Sequence, residues 1–168
     1  DGSQRIGQRT PNATHLIKVA CQAALGLRDN MSIFGTDYNT PDGTGVRDYI
    51  HVDDLSSAHL AALEYLRDND SNIFNCGYGR GYSVREVIAA VKKVAGKDFK
   101  VLENGRRAGD SAKVVAENSK ILNMTGWSPK YADLDYICGT AFEWEKKMSM
   151  NRNMTTLNSC EYKKIYSA

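Results

Sequence analysis

Three basic side chains and one carboxylate stand where they could do chemistry. Arg47 follows the glycine-rich stretch GTDYNTPDGTG at 35–45 and opens a short extended run. Arg106 and Arg107 share a polar loop, with Asp110 close behind them. A guanidinium presents a planar fork of donors that matches phosphate oxygens in pairs, so a cluster of them suits a diphosphate. Asp110 could accept hydrogen bonds from sugar hydroxyls. The competing reading is the ordinary fate of Arg and Asp, which is to lie solvated on a surface. Phe34 and Tyr49 could offer aromatic faces to a flat ring or could simply fill a core. His51, in YIHVDD, reads as a base paired with a carboxylate or as a structural histidine at a helix start; its place beside the cap favours the second.

Other chemistries find less support. His15, His51 and His59 do not pair with cysteines or with one another at a metal-ligand spacing, so no metal site is expected. No Ser-His-Asp or Cys-His order emerges. The turn Gly77-Tyr78-Gly79-Arg80-Gly81 lies between a strand-like and a helix-like stretch. Its third glycine falls two residues after the second, whereas a dinucleotide fingerprint needs G-x-G-x-x-G. A plain strand-to-helix turn is the expected outcome.

The elements that must position these residues follow from periodicity and punctuation. Asn12 caps a helix expected over 13–25, and Gly26 ends it. Residues 31–34 and 46–50 read as strands around the glycine-rich loop. Asp53 or Asp54 caps a helix reaching about Arg67, with Leu55, Ala58, Ala62, Leu63 and Leu66 as its inward stripe. Residues 73–76 form a further strand. Ser83 and Glu86 make a capping box for a helix that turns Val84, Val87, Ile88, Val91 and Val94 inward and closes at Gly96. A strand at 99–102, a short helix at 119–124 and a helix over 133–148 complete the order. Short strands alternating with about five helices give an α/β class, as a small lobe and not a full doubly wound sheet. Residues 1–150 form the lobe. Residues 151–168 lose the period and are expected to be a flexible polar tail.

Composition bounds the partners. The 168 residues, 42% apolar and 25% charged, are ordinary for one globular domain. A net charge of +2 gives no global attraction to nucleic acid or membrane. No apolar run approaches the ~20 residues of a membrane helix. Residues 1–12 are polar with two arginines, unlike a secretory leader. Cys21, Cys76, Cys138 and Cys160 form no CxxC pair, and reduced thiols in a cytoplasmic protein are expected.

The stretch FGTDYNTPDGTGVRDYIHVDD at 34–54 strongly resembles the signature of UDP-glucose 4-epimerases, members of the extended short-chain dehydrogenase/reductase superfamily. TPNATHLIKVA at 10–20, IFNCGYGRGYSVREV at 73–87, GRRAGD at 105–110 and TGWSPKY at 125–131 support it in order and spacing. The resemblance covers about residues 1–148 and implies the carboxy-terminal, UDP-hexose-binding part of such an enzyme. NAD would sit on an amino-terminal Rossmann domain that this chain lacks. By motif, Arg47 and Arg107 would bind the diphosphate and Asp110 the ribose hydroxyls. Ser32, Ile33 and Phe34 would lie along the uracil, with backbone there reading its edge. Tyr49 would lie close to the nucleotide, and His15 and Leu16 would start the helix facing it. Val114 falls where the family gates its sugar pocket by side-chain size, and a small residue there predicts room for an N-acetyl group. The family also implies a homodimer of the complete protein.

The family reaction needs a Y-x-x-x-K tyrosine and NAD. No tyrosine here has a lysine four places on, so the chain alone is expected to be inactive. Ala108 and Ser111 stand where the family has prolines, and Glu117 and Asn118 replace an Asp-Ala pair; loss of the prolines would loosen the loop. Two other readings remain beside the epimerase portion: a non-catalytic UDP-sugar-binding module, and a truncated relic without function.

Overall fold

A computed structural model describes residues 1–10 and 12–165, with residues 152–165 by backbone course alone. Helix α1 spans Leu16–Ala24, shorter than its periodicity predicts. Asn12 cannot cap it, because Asn12 sits at φ +53° and three further residues intervene before the helix; His15 takes the N-cap position. Strand β1, Met31–Phe34, runs as expected and buries alternate side chains. Strand β2 is only Val46–Arg47, shorter than the expected 46–50. Helix α2, Val52–Tyr65, starts earlier than either aspartate would set it, because His51 is the cap: its Nδ1 accepts from the Asp53 amide at 3.1 Å.

Strand β3, Tyr82–Ser83, leads directly into helix α3, Val84–Ala95. The capping box is present in both directions. Ser83 Oγ accepts from the Glu86 amide at 3.0 Å, and Glu86 Oε2 accepts from the Ser83 amide at 2.6 Å. Gly96 ends α3 at φ +62°, a left-handed C-cap that suits a residue without Cβ. Strand β4 is Val101–Asn104, β5 is Lys113–Val114, α4 is Ser119–Thr125 and α5 is Leu134–Ile165. Helix α5 thus runs past Met148, where the apolar period ends. Residues 149–165 hold neither Gly nor Pro, so nothing in the chain stops the helix there. The side chains of 152–165 and all of 166–168 lie outside the described residues, and with them the question of a flexible tail.

The class is α/β, with five helices and few short strands among the described residues. β1 pairs with β4 in parallel, while β2 lies between antiparallel β3 and parallel β5. Helices α1, α3 and α5 pack together over β1, burying Cys21, Ile33, Val87, Val91 and Cys138. A buried ion pair, Lys18 with Glu145, ties α1 to α5, and Gln22 Nε2 donates to the same carboxylate at 3.0 Å.

A second, smaller cluster gathers Ala58, Ile121 and Trp127 between α2 and α4. The expected strand at 73–76 does not form here. Ile73 and Asn75 face out while Phe74 and Cys76 turn in, as on a strand, but among the described residues no neighbouring strand bonds to this segment. The inward stripe of α2 is also corrected. Ala58 is its buried apolar residue, whereas Leu63 and Leu66 point to solvent.

A candidate nucleotide-sugar site between two loops

One cavity of about 450 Å³ opens between α1, β1, β2 and the loop before β5. Strands β1 and β2, from the two different sheets, deliver its floor, because alternate residues of a strand face the same side. Leu16, Ser32, Phe34, Arg47, Tyr49, Arg107 and Asp110 all line it. Seven residues singled out from sequence therefore meet in one place, although they come from four separate segments.

The other three do not line it. The Ile33 side chain turns the opposite way from Ser32 and Phe34 and is buried under α3. Any part Ile33 plays at the cavity belongs to its backbone. His15 stands outside, with Nδ1 2.8 Å from Gln8 Nε2. Val114 is half-exposed on β5, opposite Arg47 in the β2–β5 register.

The side chains that do meet have defined states. Burial pushes the Tyr49 phenol up to about 12, with the nearby Arg47 charge pulling the other way. Tyr49 therefore stays protonated near neutral pH and can donate a hydrogen bond, but it is a poor base. Arg47 Nη1 donates to the Val46 carbonyl at 2.9 Å, which fixes the guanidinium against its own strand. The Arg107 guanidinium carbon lies 3.6 Å over the Phe34 ring, a cation–π contact that holds the charge at the cavity wall.

His51 is not at the cavity. Burial holds its imidazole below the usual histidine range, against the pull of Asp53. Its Nδ1 accepts from the Asp53 amide, so Nε2 carries the proton and donates to Thr140 Oγ1 at 3.1 Å. Both nitrogens are engaged, and the ring is a structural cap. Asp54, fully buried, accepts from the Tyr78 hydroxyl at 2.7 Å and from the amides of Lys130 and Tyr131.

The glycine turn at 77–81 does not fit a dinucleotide phosphate. The amides of Tyr78 and Gly79 already donate to Asp48 at 3.0 and 2.9 Å. A Cβ on Gly81 would come within 2.5 Å of Val46 and 2.7 Å of Val115, so the glycine there serves close packing of this chain on itself. Among the described residues, no three His, Cys, Asp or Glu side chains gather as a metal site.

Sequence reasoning missed several lining residues, among them Arg28, Asn30, Tyr38 and Val84. Val84 had a signal, because it directly follows the Ser83 cap and its amide donates to the Gly45 carbonyl at 3.1 Å. Arg28 and Asn30 had none, since they lie in a turn without periodicity.

The cavity can be set beside known proteins. Residues 3–77 match the NAD dependent epimerase/dehydratase family. The UDP-glucose 4-epimerase of Azospirillum brasilense is 51% identical over 152 residues, which is 90% of this chain and 44% of that protein. The chain belongs to the UDP-glucose 4-epimerase family. The solved UDP-Glc/GlcNAc 4-epimerase of Campylobacter jejuni is 62% identical with a TM-score of 0.74, over 84% of this chain and 43% of that one. A 4-epimerase from Stenotrophomonas maltophila, solved with NAD and formylated UDP-arabinopyranose, is 39% identical with a TM-score of 0.85, over 89% of this chain and 45% of that one. The chain thus spans about half the length of the 4-epimerases it matches. Asn118 donates from Nδ2 to the Gly77 carbonyl at 2.8 Å and so pins the glycine turn to the start of α4.

Proposed function

We propose that this chain is the UDP-hexose-binding portion of a UDP-glucose 4-epimerase, and that it is inactive alone. In the complete protein it would serve interconversion of UDP-glucose and UDP-galactose in galactose metabolism. One observation carries the reading: a single cavity gathers the guanidiniums of Arg28, Arg47 and Arg107, the rings of Phe34, Tyr38 and Tyr49 and the carboxylate of Asp110 from separate segments of the chain. Arg47 and Arg107 would hold the diphosphate in a bidentate manner. Asp110 would accept from the ribose hydroxyls, while Phe34 and Tyr49 flank the uracil and the backbone of Ser32–Phe34 reads its edge. Leu16 offers an apolar wall, and His15 would contribute through the helix start it caps.

Epimerisation requires the hexose to turn while UDP stays anchored, so a firm grip on the diphosphate is part of the work. The residues described above supply that grip and no proton acceptor. Tyr49 stays neutral, and His51 is held at both nitrogens. No hydride step is assigned to this chain. NAD and the Y-x-x-x-K tyrosine belong to an amino-terminal portion of the family's length. The outer face of α2 supports such a partner, because Val52, Leu60 and Leu63 are 54%, 65% and 61% exposed on one side of the helix. The complete protein would be a homodimer of the family type. Free thiols at Cys21, Cys76 and Cys138 suit a cytoplasmic setting.

Val114, one strand over from Arg47, is the residue we assign to the sugar-size gate. Its small side chain would admit an N-acetylated hexose. The 62% identity to an enzyme described as a UDP-Glc/GlcNAc 4-epimerase supports this. Isothermal titration of the chain with UDP tests the central reading, with uridine as the ligand lacking phosphates. UDP should bind, and uridine should bind at least ~10-fold more weakly, as expected for losing charge-assisted bonds. Equal affinity for the two, or no binding of UDP, would overturn it.

A further inference from the structure

Arg106 and Arg107 are adjacent and indistinguishable by type, yet the fold sends them to different duties. Arg107 goes to the cavity and the Phe34 ring. Arg106 turns to the neighbouring loop, residues 35–45. Its Nε donates to Asp37 Oδ1 at 2.7 Å, its Nη2 donates to the Asp37 carbonyl at 2.5 Å, and its guanidinium carbon lies 4.3 Å over the Tyr38 ring. The guanidinium beside it holds the Asp37 carboxyl below the usual carboxylate range. Gly35, at φ +83°, lets the three groups meet: a Cβ there would come 2.4 Å from the Tyr38 ring and 2.8 Å from Arg106 Cγ.

The two loops differ in how well they hold themselves. Loop 35–45 is tied internally. The Tyr38 amide donates to the Gly43 carbonyl at 2.9 Å, Thr40 Oγ1 to the Thr44 carbonyl at 2.7 Å, and the Thr44 amide to Asp42 at 2.9 Å. Asp42 also accepts from Ser83, which anchors the loop to α3. Within 105–110 the internal backbone bond is a 3.3 Å contact from the Asp110 amide to the Arg107 carbonyl. Tyr38 itself is buried and lines the cavity. A rigid loop therefore grips a loosely self-bonded one, and the gripped loop carries Arg107 and Asp110.

We propose that Arg106 is a positioning residue, clasping Asp37 and Tyr38 so that the following Arg107 and Asp110 are presented to the diphosphate and ribose. This rests on the UDP reading given above. An arginine is required, because the clasp uses a two-nitrogen fork and a planar face that lysine does not have.

Calorimetric titration with UDP and with uridine tests it, using the chain and five variants. Arg106→Lys, Arg106→Ala and Asp37→Ala should each weaken UDP binding by about 3- to 30-fold, the range of a coupled contact. Uridine should lose affinity by a clearly smaller factor, because it has no diphosphate for Arg107 and only its ribose contact to Asp110 depends on the clasp, while the aromatic and strand-backbone contacts stay in place. The exchanged pair, Asp37→Arg with Arg106→Asp, should recover part of the loss relative to Arg106→Asp alone. UDP affinity unchanged in Arg106→Lys would show that Arg106 acts as a charge alone and would overturn the clasp. Equal losses for UDP and uridine, or an exchanged pair no better than the single variant, would overturn it too. If the unaltered chain does not bind UDP, the UDP reading itself fails, an outcome distinct from the other three.

Discussion

The α1/α3/α5 region and the α2/α4 region are both built from helices expected from the sequence, yet they end in different conditions. Thirteen buried side chains knit the first into one cluster, against three in the second, so only the first has a core of its own among the described residues. The first also has its charges settled, with Lys18 and Glu145 buried against each other. In the second, α2 carries apolar residues on both faces. Ala58 packs toward Ile121 and Trp127, while Val52, Leu60 and Leu63 remain outside. A helix apolar on both sides belongs between two layers. The cavity rests on the self-sufficient region, whereas the other region leaves an apolar helix face open to solvent.

Glu145→Ala should act most strongly. It leaves the Lys18 ammonium buried without its partner, and loss of about 3–5 kcal/mol is expected in urea unfolding. A loss below about 1 kcal/mol would mean that the pair does not hold α1 to α5. Ser83→Ala removes one half of the capping box and the bond to Asp42, and should cost about 1–2 kcal/mol by the same measurement. No change would show that the loop and α3 are held by packing alone.

Acidification should weaken the second region through His51. Its folded pKa lies below the usual 6.5, so the unfolded chain binds the extra proton first. Stability is then full above about pH 6.5 and falls as pH drops through the depressed folded value. A His51→Gln variant should show a shallower loss over that window; an identical slope would place the titrating group elsewhere. The smallest effect is expected on the outer face of α2. Replacing Val52, Leu60 and Leu63 together by Ser should alter stability by no more than about 0.5 kcal/mol per site, while reducing self-association on gel filtration. A large destabilisation would show that this face already packs within the chain.

Much of the first region was legible in the sequence because its signals are local. Ser83, Glu86 and Gly96 delimit α3, and the alternation of Met31–Phe34 gives β1. Arg47, Arg107 and Asp110 could be singled out by residue type and by family resemblance. That they share a cavity depends on β2 lying beside β5, a contact between residues far apart in the chain. The second region misled pattern reading for a physical reason. Periodicity in α2 and at 73–76 reports that a face is apolar, but not whether its partner is in the same chain. The end of α5 was missed because a helix without breakers can outrun its amphipathic stripe. The separate duties of Arg106 and Arg107 were beyond reach, since they depend on Gly35 admitting a ring and an arginine stem to one spot.

The segment 71–76 has a consequence for the life of the chain in a cell. Ile73 is 83% exposed beside Phe74, and among the described residues no strand pairs with the backbone there. Holdase chaperones and quality-control proteases read short apolar stretches of this kind while they are accessible. A partner laid over α2 and this segment would hide the mark. The steady amount of the chain would then follow the supply of that partner, and degradation would act as a gauge of assembly.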